Sequence, residues 1–97
     1  MEKDAVTLKD VQEAAQRLAS VVHKTPLESN HTFSTIAGHE VLLKLENMQR
    51  TGSFKVRGAS NCIQTLSPEK KACGVITASA GNHAQGVAYA ARERGAK

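Results

Sequence analysis

Gly74-Val75-Ile76-Thr77-Ala78, running directly into Ser79-Ala80-Gly81-Asn82-His83, is the stretch on which the fold turns. A glycine followed by a short, uncharged and mostly apolar run reads as a strand covered on both faces, the kind used in parallel sheets. Ser79, Gly81 and Asn82 then supply turn chemistry. Beyond them Ala84, Val87, Ala88 and Ala91 recur at helical spacing, with Gly95 as the C-terminal cap. Strand, glycine-containing loop and helix in that order make half of a parallel crossover unit.

The residues upstream repeat the pattern. Val41, Leu43 and Leu45 alternate with Leu42, Lys44 and Glu46, which predicts a strand with one less buried face. A polar turn over residues 47–52 leads to Ser53 as N-cap of a second helix, whose inner side carries Val56, Ala59, Ile63 and Leu66 and which Ser67-Pro68 closes. Residues 27–38 read as a loop with a short helix over 32–37. At the front, Thr7 and Asp10 form a capping-box pair ahead of Leu8, Val11, Ala15, Leu18 and Val22, one apolar face of a helix that ends by Thr25-Pro26. Helix, strand, helix, strand, helix is the order of an α/β layer fold with parallel strands and right-handed crossovers. Two strands make a poor sheet, and Gly95-Ala96-Lys97 falls where a further strand would begin. Residues 1–97 are therefore read as the front part of a longer catalytic domain.

Composition narrows the class. At 40% hydrophobic and 23% charged, the 97 residues suit a soluble globular chain with a modest core. The apolar runs are too short to span a membrane, and Met1-Glu2-Lys3-Asp4 lacks a secretory pattern, so a cytoplasmic location is expected. Cys62 and Cys73 have neither CxxC pairing nor a histidine cluster nearby; both are expected to be small buried residues, with no metal site. The net charge of +4 comes from lysines and arginines scattered among acids, with Phe33, Phe54 and Tyr89 the only aromatics. That pattern argues for a generic basic surface and against a nucleic-acid interface.

In open α/β sheets, ligands gather where strands run into helix N-termini. Two segments have that placement: Thr51-Gly52-Ser53-Phe54-Lys55 and Ser79-Ala80-Gly81-Asn82-His83. A lysine in the first turn of a helix opposes the positive end of the dipole, and partial burial beside Phe54 would act in the same direction, so Lys55 suits use as a neutral amine. The plainer reading is a surface lysine near a helix start. In the second segment Gly81 relieves crowding, and successive N–H groups can form a nest for a carboxylate, with Ser79 and Asn82 adding hydrogen bonds. Its plainer reading is an ordinary turn capped by Asn82. His83 is read as structural before catalytic. His23, His31 and His39 share no metal-ligand spacing, and Glu69-Lys70-Lys71 and Arg92-Glu93-Arg94 read as solvated faces.

Taken together, Lys44-Leu45-Glu46-Asn47-Met48-Gln49-Arg50-Thr51-Gly52-Ser53-Phe54-Lys55-Val56-Arg57-Gly58-Ala59 and Ser79-Ala80-Gly81-Asn82-His83-Ala84-Gln85-Gly86 closely resemble the two N-terminal signatures of the threonine dehydratase and serine racemase group. Lys24-Thr25-Pro26-Leu27 fits the group's early segment, so the resemblance covers nearly the whole chain. The group belongs to the fold-type II enzymes, tryptophan synthase β-like in fold, that use pyridoxal 5′-phosphate (PLP).

The resemblance implies that Lys55 carries PLP covalently, that Phe54 packs against its ring, that Asn82 hydrogen-bonds the ring 3-oxygen, and that Ser79, Gly81, Asn82 and His83 hold the substrate carboxylate. It implies dehydration and deamination of L-threonine, and of L-serine, to a 2-oxo acid and ammonia, with the freed Lys55 amine removing the Cα proton. Arg50 and Thr51 match positions in a nucleotide effector site. Family members are homo-oligomers acting on small amino acids. Serine racemases place a second serine where this chain has Ala80, which favours dehydration over racemisation. His83 and Ala84 depart from the Ser-Gly-Asn-Thr-Gly loop of the cysteine synthases.

The family's glycine-rich phosphate loop, its serine or cysteine at the pyridine nitrogen and its C-terminal regulatory domain have no counterpart in these residues. The chain alone is accordingly expected to bind PLP weakly and to show little dehydratase activity. The competing expectation is a non-catalytic fragment, or a half that needs a complementary partner.

Overall fold

The computed structural model describes residues 5–97; Met1 to Asp4, read above for the absence of a signal pattern, lie outside the described residues. The elements run α1 (Leu8–Leu18), β1 (Leu27–Ser29), α2 (His31–Ala37), β2 (Leu42–Lys44), two 3₁₀ turns (Glu46–Met48 and Arg50–Gly52), α3 (Lys55–Gln64), α4 (Pro68–Cys73) and α5 (Asn82–Arg94).

The organising contact is α3 against α5. Ala59 and Ile63 of α3 meet Ala90 and Ala91 of α5 in the core, with Leu66, Val75, Val87 and Ala96 packed around them. Small side chains on both helices let the axes approach closely, and Val56 at the head of α3 is fully buried. The inner face predicted for α3 therefore holds, whereas that of α5 is rotated from the predicted one: Ala91 is buried and Val87 half-buried, but Ala88 is exposed and Gly86 and Ala90 take the buried positions. α5 ends as expected, with Gly95 left-handed at φ 67° and its N–H donating to Ala91 and Arg92 carbonyls.

At α1 the capping box forms: the Thr7 hydroxyl accepts from the Asp10 N–H, and the Asp10 carboxylate accepts from the Thr7 N–H at 2.8 Å. Its apolar face, however, is largely uncovered. Leu18 is buried, but Leu8 is 73% exposed and Val11 is exposed too. Arg17 Nε donates to Asn61 Oδ1 at 2.8 Å, which holds the helix against α3.

Several expectations need correction. Residues 27–29 are not loop but strand: Leu27 pairs with Lys44 and Ser29 with Leu42 in an antiparallel two-stranded sheet. Ser67-Pro68 begins a helix as well as ending one; Ser67 caps α4 by accepting from the Lys70 N–H, and proline is well placed in a first turn because its missing N–H would have had no partner there. The largest correction concerns residues 74–78. They form no regular element and pair with no strand, held at one end by the Val75 N–H donating to the Lys97 carbonyl at 2.7 Å, and Ile76 is 99% exposed. A strand buried on both faces needs hydrogen-bonding strands at its edges and packed layers over its faces, and among the described residues no other strand lies beside it. The parallel pairing expected from the element order is thus not formed here. Cys62 and Cys73, expected to be buried, are both exposed free thiols.

A radius of gyration of 16.3 Å, against about 12–13 Å for a compact domain of this length, expresses the same fact. The α3–α5 core does not extend to the whole chain.

Thr51 carries the strain in the connection before α3. It sits at φ 64°, ψ 4°, followed by left-handed Gly52 at φ 75°, and its hydroxyl is buried without a partner. A β-branched residue in the left-handed region is costly. Thr51→Gly is expected to stabilise the fold by about 1 kcal/mol, the relief of strain outweighing the added freedom of the unfolded chain. A lowered urea midpoint would contradict this.

Candidate functional site

Lys55 is the first residue of α3, and Phe54 precedes it as N-cap. The serine predicted to cap this helix acts one step early: Ser53 Oγ accepts from the Lys55 N–H at 3.3 Å. The Lys55 side chain is exposed, not half-buried as expected, and its Nζ lies 5.4 Å from the centroid of the Phe54 ring, which is itself 60% exposed. An accessible primary amine thus stands over an accessible aromatic face.

What holds the turn that carries Lys55 is a polar network that the sequence reading did not single out. Arg57, two residues along α3, clasps Glu46 with Nε to Oε1 and with Nη2 to Oε2 at 3.1 Å. Glu46 Oε2 also accepts from the Thr25 hydroxyl at 2.6 Å and from Gln49 Nε2 at 3.3 Å. The Arg57 guanidinium, followed by the Thr25 and Gln49 donors, holds the Glu46 carboxyl down at about 2, against the opposing effect of burial. Glu46 in turn raises the already high pKa of Arg57.

Gln49, only 4% exposed, is the hub. Its Oε1 accepts from the N–H groups of His23 (2.8 Å) and Arg50 (3.0 Å), while its Nε2 donates to the His23 carbonyl (2.9 Å). Lys44 Nζ donates to the Thr25 carbonyl at 2.5 Å, and Arg50 Nε to the Val21 carbonyl at 2.7 Å. The segment from 21 to 25, the turns before α3 and the first turn of α3 are therefore one hydrogen-bonded unit.

The loop 79–83 leads into α5. Ser79 Oγ accepts from the Gly81 N–H at 3.1 Å, and Gly81 is the N-cap with φ −170°. No side chain caps α5. Asn82 does not play the capping part that the plainer reading gave it: it is the first helical residue. The leading N–H groups of a long helix are left available to an anion, at the positive end of its dipole.

Gly86, one turn on from Asn82 on the same face, lies against the first turn of α3: a Cβ there would come within 3.1 Å of the Lys55 carbonyl carbon and oxygen and the Val56 nitrogen. Lys55 and the Asn82 turn of α5 are thus neighbours. His83, on the adjacent stripe of α5, instead borders an apolar cavity of about 370 Å³ with Ile63, Thr77 and Val87.

Arg50 and Thr51 part company. Arg50 lines a cavity of about 500 Å³ with Tyr89, Arg92 and Arg94, whereas Thr51 does not line it and its hydroxyl is buried. Among the described residues no group of histidine, cysteine or carboxylate side chains is arranged to hold a metal, and no helix is long and apolar enough to cross a membrane.

Residues 5–97 match the family described as pyridoxal-phosphate dependent enzyme. The chain is 54% identical over 87 residues to the L-threonine ammonia-lyase of Thermotoga maritima, covering 90% of this chain and 22% of that protein. Among solved structures, the serine racemase of Dictyostelium discoideum matches with a TM-score of 0.88 at 49% identity, over 95% of this chain and 30% of that one. A threonine deaminase from T.th. matches at 0.82 with 42% identity, over 95% and 32% respectively. The chain therefore spans between 22% and 32% of the length of these relatives.

Proposed function

Because this chain belongs to the pyridoxal-phosphate dependent enzyme family, as a small α/β portion of its fold-type II architecture, we propose that it is the lysine-bearing front part of an L-threonine and L-serine ammonia-lyase domain, with Lys55 as the catalytic amine. The observation that carries this reading is the close approach of the Lys55 backbone to Gly86, one turn into the uncapped helix α5, with the exposed Lys55 amine over the Phe54 ring.

The residues present fit the cofactor. Lys55 would hold it through its amine, Phe54 would lie along the ring, and the Asn82 amide would donate to the ring oxygen. PLP supplies, when bound, an electron sink for the pair left at a substrate Cα. When not bound to the cofactor, the freed Lys55 Nζ would accept the Cα proton. The N–H groups of the 79–83 loop, with the Ser79 hydroxyl and Asn82 amide, hold the substrate carboxylate and fix which Cα bond faces Lys55. His83 contributes through the backbone of this loop, since its side chain borders the apolar cavity. Ala80 offers no hydroxyl for proton transfer from a second face, which favours elimination over racemisation. Arg50, with Arg92 and Arg94 around a common cavity, suits the phosphates of a nucleotide effector.

The test is reduction of a PLP mixture with borohydride followed by peptide mapping. The expected result is a substoichiometric adduct concentrated on Lys55 and lost in Lys55→Ala, with Lys24 and Lys70 labelled only at background. Equal labelling of all lysines would remove the assignment of Lys55, and stoichiometric labelling would overturn the expectation of weak binding.

A second reading is favoured by the unpaired 74–78 segment with its bare Ile76: a half that becomes stable only with complementary chain. A compact monomer in size-exclusion chromatography argues against it; aggregation relieved by a complementary partner supports it.

A further inference from the structure

We propose that Gly86 is a positioning residue for Lys55: by lacking a side chain, it sets how near the Asn82 end of α5 stands to the lysine-bearing turn of α3. The inference rests on the reading of Lys55 above.

Three atoms would meet a Cβ at position 86, and all three are backbone: the carbonyl carbon and oxygen of Lys55 and the nitrogen of Val56, each at 3.1 Å. No flexible side chain can swing aside. Lys55 opens α3, Val56 is fully buried, and Arg57 is tied to Glu46, so the α3 side of the contact is held from behind. Gly86 is itself buried in mid-helix, where glycine is a poor helix former, and its φ is not in the left-handed region. Close approach is thus the property for which glycine is needed. Gly58, in α3, supplies the contrast: a Cβ there meets nothing within 4 Å.

A methyl group at 86 must move the two helices apart by a few tenths of an ångström. Because Asn82 lies one turn away on the same face, that shift changes the span between Lys55 and whatever Asn82 holds, while leaving the Lys55 amine as exposed as before.

The experiment compares wild type, Gly86→Ala, Gly58→Ala and Val87→Ala by competitive labelling with PLP and borohydride, reading the Lys55 share of the adduct against Lys24 and Lys70. Acetic anhydride labelling of Lys55 serves as the cofactor-free control. The expected result is a roughly three- to tenfold fall in the Lys55 share for Gly86→Ala, on the scale by which small misplacements cost reactivity. Unchanged acetylation is expected in every variant, with wild-type selectivity in Gly58→Ala and in Val87→Ala, whose lost side chain loosens the same interface without pressing on Lys55.

Wild-type selectivity retained in Gly86→Ala overturns the proposal, as does an equal loss in Val87→Ala. Absence of Lys55 selectivity in the wild type overturns instead the reading of Lys55 on which it rests. In wild-type protein, a nuclear Overhauser contact between the Gly86 Hα and Val56 N–H protons is expected irrespective of how any variant folds, and its absence overturns the close approach directly.

Discussion

Arg57→Met is expected to destabilise the chain by about 2–3 kcal/mol in urea unfolding at neutral pH. The cost follows from leaving the Glu46 carboxylate, whose side chain is 17% exposed, without the fork that satisfies both of its oxygens. Removing both partners together, as Glu46→Gln with Arg57→Met, should cost less than the sum of the single changes, because no unpaired charge remains.

The pH dependence has a definite sign. The folded-state pKa of Glu46 is depressed to about 2, from an ordinary value of 4.5. Its contribution is therefore fully present above pH 4.5 and is lost as the pH falls through that window toward 2. The shift corresponds to no more than about 3 kcal/mol, and to roughly 2 once the 35% exposure of the Arg57 side chain is considered. The gap between wild type and Arg57→Met should narrow accordingly on acidification. A gap that stays constant across the window would show that the pair does not carry this stability.

Gln49→Leu is the other substitution with a large expected effect, about 3 kcal/mol. Leucine fills the volume but strands the His23 N–H and carbonyl and the Arg50 N–H, each of which now meets the buried amide. An unpartnered backbone group costs about 1–3 kcal/mol where water cannot reach it. Gln49→Glu separates the contributions: it keeps the acceptor for His23 and Arg50 but loses the donor and sets a second carboxylate beside Glu46, so it should also be destabilising. A Gln49→Leu variant within a few tenths of a kcal/mol of wild type would mean that the 21–25 segment is held elsewhere.

Both substitutions fall in a network that no periodicity announces. Glu46, Gln49 and Arg57 look like ordinary polar residues of a turn and a helix surface; they meet one another over 3 and 11 residues and are joined to Thr25 and His23 across 21 and 26. A capping box is different in kind. Thr7 and Asp10 are three residues apart, so their pairing is settled by local geometry and could be read directly, as could the helical faces of Val56, Ala59, Ile63, Ala91 and the left-handed cap at Gly95. The exposure of Leu8 and Ile76 could not, because burial belongs to whatever packs on top.

The same division runs through the candidate site. Local order in the chain is enough to put Lys55 in a first helical turn after Thr51-Gly52-Ser53-Phe54, and Ser79 to Asn82 at the entrance of another helix, because turn residues, caps and apolar spacing act over a few residues at a time. The resemblance of these two segments to known signatures points to PLP without reference to any tertiary contact. Three-dimensional packing was needed to bring Gly86 onto the Lys55 backbone, to leave α5 without a side-chain cap, to turn His83 toward an apolar cavity, and to pair residues 27–29 antiparallel with 42–44. These are outcomes of contact between distant segments, where hydrogen-bonding and packing partners are selected by space and not by spacing.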